Sequence, residues 1–134
     1  KIFDLDGTLC LKAENRGYFD EVNLIDDLPN DYVLDELLMA MKVGYKIVIC
    51  TARTKATEEE TKAWFELNNI DCSKYDFYFR DNEDRRKDHI VKEEMWRDIS
   101  TKYFIHSLYD DRVQVINHAR SLGLNVFAVN NKFY

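Results

Sequence analysis

Apolar runs of strand length alternate with stretches of helical spacing along the whole chain. The opening segment KIFDL is apolar until two aspartates arrive one residue apart, Asp4 and Asp6, and Gly7 then ends any regular structure. An irregular stretch follows from Cys10 to Pro29, where Asn15, Arg16 and Gly17 predict a loop or a small hairpin. Asn30 or Asp31 can cap a helix that carries Val33, Leu34, Leu37, Leu38 and Met41 at helical spacing, and Gly44 closes it. YKIVIC, Tyr45 to Cys50, is continuously apolar, as a central parallel strand would be. Further on, the pattern predicts helices over Glu58 to Asn69, Asp88 to Ile99 and Val113 to Leu122. Strands are predicted over Tyr75 to Phe79, within YFIHSLYDD and within LNVFAV.

Strands alternating with helices imply an α/β fold: a Rossmann-like three-layer sandwich with a mainly parallel five-stranded sheet. At 134 residues a single domain over residues 1–134 is expected. Apolar residues make up 46% and charged residues 33%, and one proline with four glycines leaves no room for a disordered linker. No apolar run approaches the roughly 18 residues that cross a bilayer, and no signal-peptide pattern opens the chain, so a cytoplasmic protein is expected. The first strand begins without an initiator methionine, which predicts residues or a domain upstream.

Charge and cysteines narrow the chemistry. A net charge of −6 argues against a broad phosphate-backbone binder, so any nucleic-acid contact should be local. Cys10, Cys50 and Cys72 are odd in number and far apart, and read as reduced structural thiols, without zinc-site spacing. DNEDRRKD, Asp81 to Asp88, is the densest charge run and by itself reads as a solvated loop.

In an open α/β sheet, ligands gather outside the carboxyl ends of the strands. Strand one is expected to end at Asp4 and Asp6, strand two at Thr51 with Arg53 following, and the fourth at Asp110 and Asp111. Each has an ordinary structural reading alone: an Asp-Gly turn, a helix start, an acidic cap. Three of them at one edge point to a site. Clustered acids need a cation, and oxygen ligands without histidine or thiolate suit Mg²⁺, which a substrate phosphate usually completes. Residues two apart on a strand share a face, so Asp4 and Asp6 can approach one phosphorus as nucleophile and proton donor. The Thr51 hydroxyl and a basic side chain would hold the remaining phosphoryl oxygens.

FDLDGTL, then CTAR, a later lysine and YDDR resemble the haloacid dehalogenase superfamily of phosphotransferases. RRKDHIVKEEMW, DDRVQVINHARSLGLNVF and NRGYFD are similar to the 3′-phosphatase domain family of bacteriophage polynucleotide kinase. The resemblance implies that Asp4 becomes an aspartyl phosphate and Asp6 is the general acid and base, its carbonyl also reaching Mg²⁺. It further implies that Thr51 holds phosphate, Asp110 ligates the metal and Asp111 supports it. Asp88 and Lys92 match the aspartate and the phosphate-contacting lysine, with Lys87 as the alternative, while Arg16 and Arg53 match arginines that serve activity and Arg112 follows the acidic pair. Thr51-Ala52 stands where the phage enzyme has serine and glycine, which keeps a hydroxyl.

The chain has no G-x-x-x-x-G-K-[ST] loop, so a kinase is expected only upstream or in a separate protein. Little of the sequence is left to form a cap domain, and an open cleft admits a polymer end. The expected substrate is therefore a 3′-phosphorylated DNA or RNA end, with the 2′,3′-cyclic end a further candidate, held locally by Arg16, Arg53 and the Arg85-Arg86-Lys87 run. Free nucleotides or other small phosphate esters are the alternative, and a receiver-like binding domain a third. By the same resemblance the protein works in the cytoplasm of a bacterial or phage-infected cell.

Overall fold

Successive residues along each strand point to opposite faces, and the chain uses this alternation to build two cores on one sheet. The structure, a computed structural model, describes residues 1–12 and 24–129. Five strands, β1 (Ile2–Phe3), β4 (Val48–Thr54), β5 (Asp76–Arg80), β6 (Leu108–Asp110) and β7 (Val126–Ala128), form a sheet in the order β5-β4-β1-β6-β7. Every neighbouring pair is parallel. Parallel neighbours need crossover connections, which α1 (Asp31–Val43), α2 (Glu58–Leu67), α3 (Asp88–Ser100) and α4 (Val113–Ser121) provide.

Phe3, Ile49 and Tyr109 face one side and pack with Val33, Leu34 and Leu37 of α1 and Trp64 and Phe65 of α2. Ile2, Val48, Cys50 and Leu108 face the other side and pack with Val91, Met95 and Trp96 of α3 and Val115 and Ala119 of α4. The result is the expected three-layer α/β sandwich. Tyr109 is stacked between Phe3 at 4.4 Å and Phe127 at 4.9 Å.

Between β1 and α1 the described chain carries only a 3-10 turn at Leu24–Asp26 and a two-stranded antiparallel ribbon, β2 (Cys10–Leu11) with β3 (Leu28–Pro29). Among the described residues there is no cap domain. Buried bonds pin the ribbon down: the Asn30 side chain donates to the Thr8 carbonyl at 2.8 Å, and the Trp64 indole to the Asp27 carbonyl at 2.8 Å. Arg16 and its neighbours Asn15 and Gly17 lie outside the described residues. Among the described residues no helix is long and apolar enough to cross a membrane.

The structure corrects several boundaries. β1 stops at Phe3, before the two aspartates, because the chain turns over on itself from Leu5 onward. β4 starts three residues into YKIVIC and continues to Thr54, well past Thr51, pairing with β5 through a register shift between Cys50 and Thr54. Hydrophobicity marks where a strand is buried, whereas pairing decides where it ends. Asn30 does stand at the start of α1, but its amide is engaged with Thr8 and makes no cap bond. Of YFIHSLYDD only Leu108–Asp110 pairs, and Phe104 is almost fully exposed.

Trp64 is 1% exposed and belongs to one core while bonding the ribbon. Trp64→Ala is expected to remove about 3–5 kcal/mol of stability in urea unfolding. A loss below about 1 kcal/mol would show that α2 does not anchor this face.

Candidate active site

The turn after β1 decides where the carboxylates go. Asp4 extends the pairing by one residue, its N–H donating to the Tyr109 carbonyl at 3.0 Å. The chain then coils around the Leu5 carbonyl, which accepts the N–H groups of Thr8, Leu9 and Cys10 at 2.9, 2.9 and 3.1 Å. Gly7 sits inside this coil at φ +81°, a left-handed conformation that glycine adopts without strain. A Cβ at Gly7 would lie 2.2 Å from Asp111 Oδ2, so any side chain there would collide with a site carboxylate.

The coil returns the Thr8 hydroxyl to the end of β1, 3.2 Å from Asp4 Oδ2 and 3.2 Å from Asp111 Oδ1. Its single hydrogen can serve either carboxylate. β6 runs beside β1 and delivers Asp110 and Asp111 to the same place. Asp4, Asp110 and Asp111 each offer an oxygen within 4.8 Å of the others.

Lys92, on the second turn of α3, reaches into this group from the opposite layer. Its Nζ donates to Asp4 Oδ1 at 2.8 Å and to Asp110 Oδ2 at 2.7 Å, and the side chain is 2% exposed. Burial works against its charge, but attraction to Asp110 and Asp4 outweighs that, and the ammonium is held protonated well above its usual range. The carboxylates remain short of positive charge. Burial first, and then repulsion from Asp110, pushes the Asp4 carboxyl well above its usual range, and burial likewise raises Asp111. Three oxygen donors with an uncompensated negative charge and no thiolate or imidazole among them fit a hard divalent cation such as Mg²⁺.

Asp6 lies in a different environment. Because the strand has ended, the face-sharing of residues two apart does not apply, and the Asp6 side chain turns toward β4. Arg53 grips it with two bonds, Nε to Oδ2 at 3.0 Å and Nη2 to Oδ1 at 2.7 Å. The guanidinium is buried and also donates to Thr61 Oγ1 at 3.1 Å and Asp27 Oδ2 at 3.3 Å, with Cys10 Sγ at 3.3 Å. Asp6, Cys10 and Asp27 also gather closely, but there Arg53 already supplies the cation.

Thr51 is buried, and its Oγ1 accepts the Arg53 backbone N–H at 3.0 Å. Asp88 opens α3 with one oxygen 2.5 Å from Arg80 Nη2 and the other bonded to Arg112. Lys87 precedes α3 and is exposed. Within the charged loop Arg86 pairs with Asp84 and Glu94, and Arg85 donates to the Asn82 carbonyl at 3.3 Å.

So the structure brings Asp4, Lys92, Asp110 and Asp111 into direct contact, and places Asp6 with Arg53 and Asp88 with two arginines. Sequence reading passed over Thr8, Asp27 and Arg80. Arg80 ends the aromatic strand FYFR, where the strand-end rule would have found it, and Thr8 closes the D-x-D-G-T motif, which is the signal for it. Asp27 carries no comparable signal. Two surface hollows of about 480 and 400 Å³ contain none of these residues; one lies against His106, Arg120 and Phe127, the other along the outer edge of β5. The chemistry gathers at the strand ends instead.

The chain matches the phosphatase domain of polynucleotide kinase, PNKP, over residues 1–134. It is 38% identical to a chain in the structure of a Pnkp1/Rnl/Hen1 complex and to one in the structure of the Pnkp1/Rnl/Hen1 RNA repair complex. Each superposes with a TM-score of 0.88 over 99% of the present chain. The chain covers 45% and 42% of those chains, less than half their length.

The site geometry predicts a metal response that needs no turnover. Mg²⁺ at about 100 times its dissociation constant should add about 2.7 kcal/mol to wild-type stability. Gly7→Ala and Asp110→Asn should each remove most of that gain. A wild-type melting temperature indifferent to Mg²⁺ would count against the carboxylate cluster as a cation site.

Proposed function

This chain belongs to the polynucleotide kinase PNKP phosphatase domain family, and we propose that it is a Mg²⁺-dependent phosphomonoesterase removing 3′-phosphate from nucleic-acid ends through an aspartyl phosphate on Asp4. The observation that carries this reading is the division of the DLD pair into two environments. Asp4 is buried against Lys92, Thr8 and Asp111, while Asp6 is partly exposed and aimed by Arg53.

In the first half-reaction an Asp4 oxygen bonds to phosphorus as the bond from phosphorus to the 3′ oxygen breaks, and Asp6 gives that oxygen its proton. In the second, Asp6 takes a proton from water as the water attacks the phosphoryl group, which leaves as inorganic phosphate and restores Asp4. Lys92 and the Thr51 hydroxyl serve the phosphoryl oxygens. A divalent cation held by Asp4, Asp110 and Asp111, with the Asp6 carbonyl as a further donor, would offset the repulsion between carboxylate and phosphate. Arg53 acts through Asp6, and Asp88 through the placement of α3. Arg16 is retained as a substrate contact.

The reading takes residues 1–134 as one phosphatase domain working in the cytoplasm, and assigns any kinase to an upstream domain or a separate protein. The second solved relative belongs to an RNA repair complex, which favours RNA ends, and the absence of a cap among the described residues suits a polymer end. A second reading is hydrolysis of free nucleotides or small phosphate esters, which the net charge of −6 does not disfavour.

A 3′-phosphorylated oligonucleotide is expected to release phosphate in Mg²⁺ but not in EDTA, and its 5′-phosphorylated isomer to release none. Equal efficiency on a mononucleoside 3′-phosphate would move the assignment to small esters; the 2′,3′-cyclic end belongs in the same comparison. Asp4→Asn should lower turnover on the order of 10⁴-fold or more with the fold retained. Lys92→Ala should lower kcat by about 10²- to 10³-fold, and Lys87→Ala far less. The reverse order for the lysines would show that the buried ammonium is structural.

A further inference from the structure

Arg80 ends β5 at the margin of the sheet, yet it is buried and its guanidinium is directed inward. Nε donates to the Ala52 carbonyl at 3.2 Å, between Thr51 and Arg53 on β4. Nη1 donates to the carbonyls of Asp84 at 3.3 Å and Arg86 at 2.6 Å, which fixes the charged loop. Nη2 donates to Asp88 Oδ1 at 2.5 Å, and Arg112 takes the other oxygen of Asp88. One planar fork therefore joins the end of β4, the loop and the first residue of α3.

The need for such a clamp follows from how α3 is packed. Its broad contact with the sheet is apolar, through Val91, Met95, Trp96 and Ile99, and apolar contact is non-directional. Besides the Lys92 bonds, polar ties reach it from Tyr78, whose hydroxyl donates to Asp98 Oδ2 at 2.5 Å, and from His118, 2.6 Å from Glu93. The ties to Asp98 and Glu93 lie C-terminal to Lys92, so a small axial shift of the first turn is opposed chiefly at Asp88. Lys92 cannot tolerate such a shift, because its ammonium must meet Asp4 and Asp110 at 2.8 and 2.7 Å. Asp88 lies one turn before Lys92 on the same side of α3. We propose that Arg80 is a positioning residue for Lys92: it fixes the axial position of α3 against the end of β4, and affects turnover through Lys92 and not through the metal ligands.

The turnover part of this inference rests on the phosphatase reading, whereas the placement of Lys92 does not. Arg80→Lys keeps the charge but loses the fork, since an ammonium cannot reach Ala52, Arg86 and Asp88 together. It is expected to lower kcat about 10²-fold, with KM and the half-saturating Mg²⁺ concentration changed less than about threefold. In a Lys92→Ala background, measured under single-turnover conditions, the same change should cost less than about threefold. Equal losses in the two backgrounds would overturn the proposal, because a general structural role stays additive.

A second readout is independent of activity. With ¹⁵N-labelled lysine, the buried Lys92 ammonium should give a protected side-chain signal, lost or exchange-broadened in Arg80→Lys; an unchanged signal would overturn the proposal even if no nucleic-acid end is hydrolysed. Should Arg80→Lys fail to fold, Asp88→Asn releases the same clamp from the helix side, and additivity there overturns the proposal equally.

Discussion

β1 and β6 are neighbours in a parallel sheet, so the pairing that builds the sheet also forces Asp4, Asp110 and Asp111 together at one edge. Three carboxylates partly or wholly out of water repel one another, and each is costly to bury alone. Most of the local architecture can be understood as a response to that repulsion. Lys92 arrives from α3 with a buried positive charge, Thr8 folds back to share its hydrogen, and the Arg112 N–H caps Asp110 Oδ1 at 3.0 Å. Gly7 gives up its side chain so that Asp111 can fit. The fold and the site are therefore one electrostatic problem.

The second carboxylate of the DLD pair is handled by a separate device. Asp6 faces Arg53, whose charge is shared with the fully buried Asp27 and hydrogen-bonded to Thr61. Two aspartates one residue apart thus sit in surroundings of opposite character: one buried among acids, the other at the surface on a bidentate arginine. Separated environments are what allow like groups to carry unlike roles. The early end of β1 makes the separation possible, since a continued strand would have pointed both side chains the same way.

Much of this was legible from residue order alone. Strand ends of an open parallel sheet collect polar groups, and that rule is enough to bring Asp4, Asp110 and Asp111 to one edge. Lys92 was legible only through the resemblance of RRKDHIVKEEMW, with its place one turn inside a helix, on the face of Asp88, favouring it over Lys87. What stayed hidden depends on side-chain direction over long sequence separations. Nothing in the composition says that Arg53 turns inward to Asp27, that Arg80 bends back across the end of β4, or that the Asn30 amide is engaged by Thr8 in place of its helix. The end of β4 was misplaced for a related reason: after the register shift that follows Cys50, polar Thr54 pairs again with Arg80 on β5, and that pairing, not hydrophobicity, extends the strand.

The resident lysine also bears on the order in which the domain is assembled. Two of the three converging carboxylates are paired with a cation that is part of the chain itself. Closing the sheet at β1 and β6 therefore does not have to wait for an ion from solution. The scaffold can form before any cation binds, so on the proposed Mg²⁺-dependent reading scarcity of Mg²⁺ would limit how many molecules are active more than how many are folded.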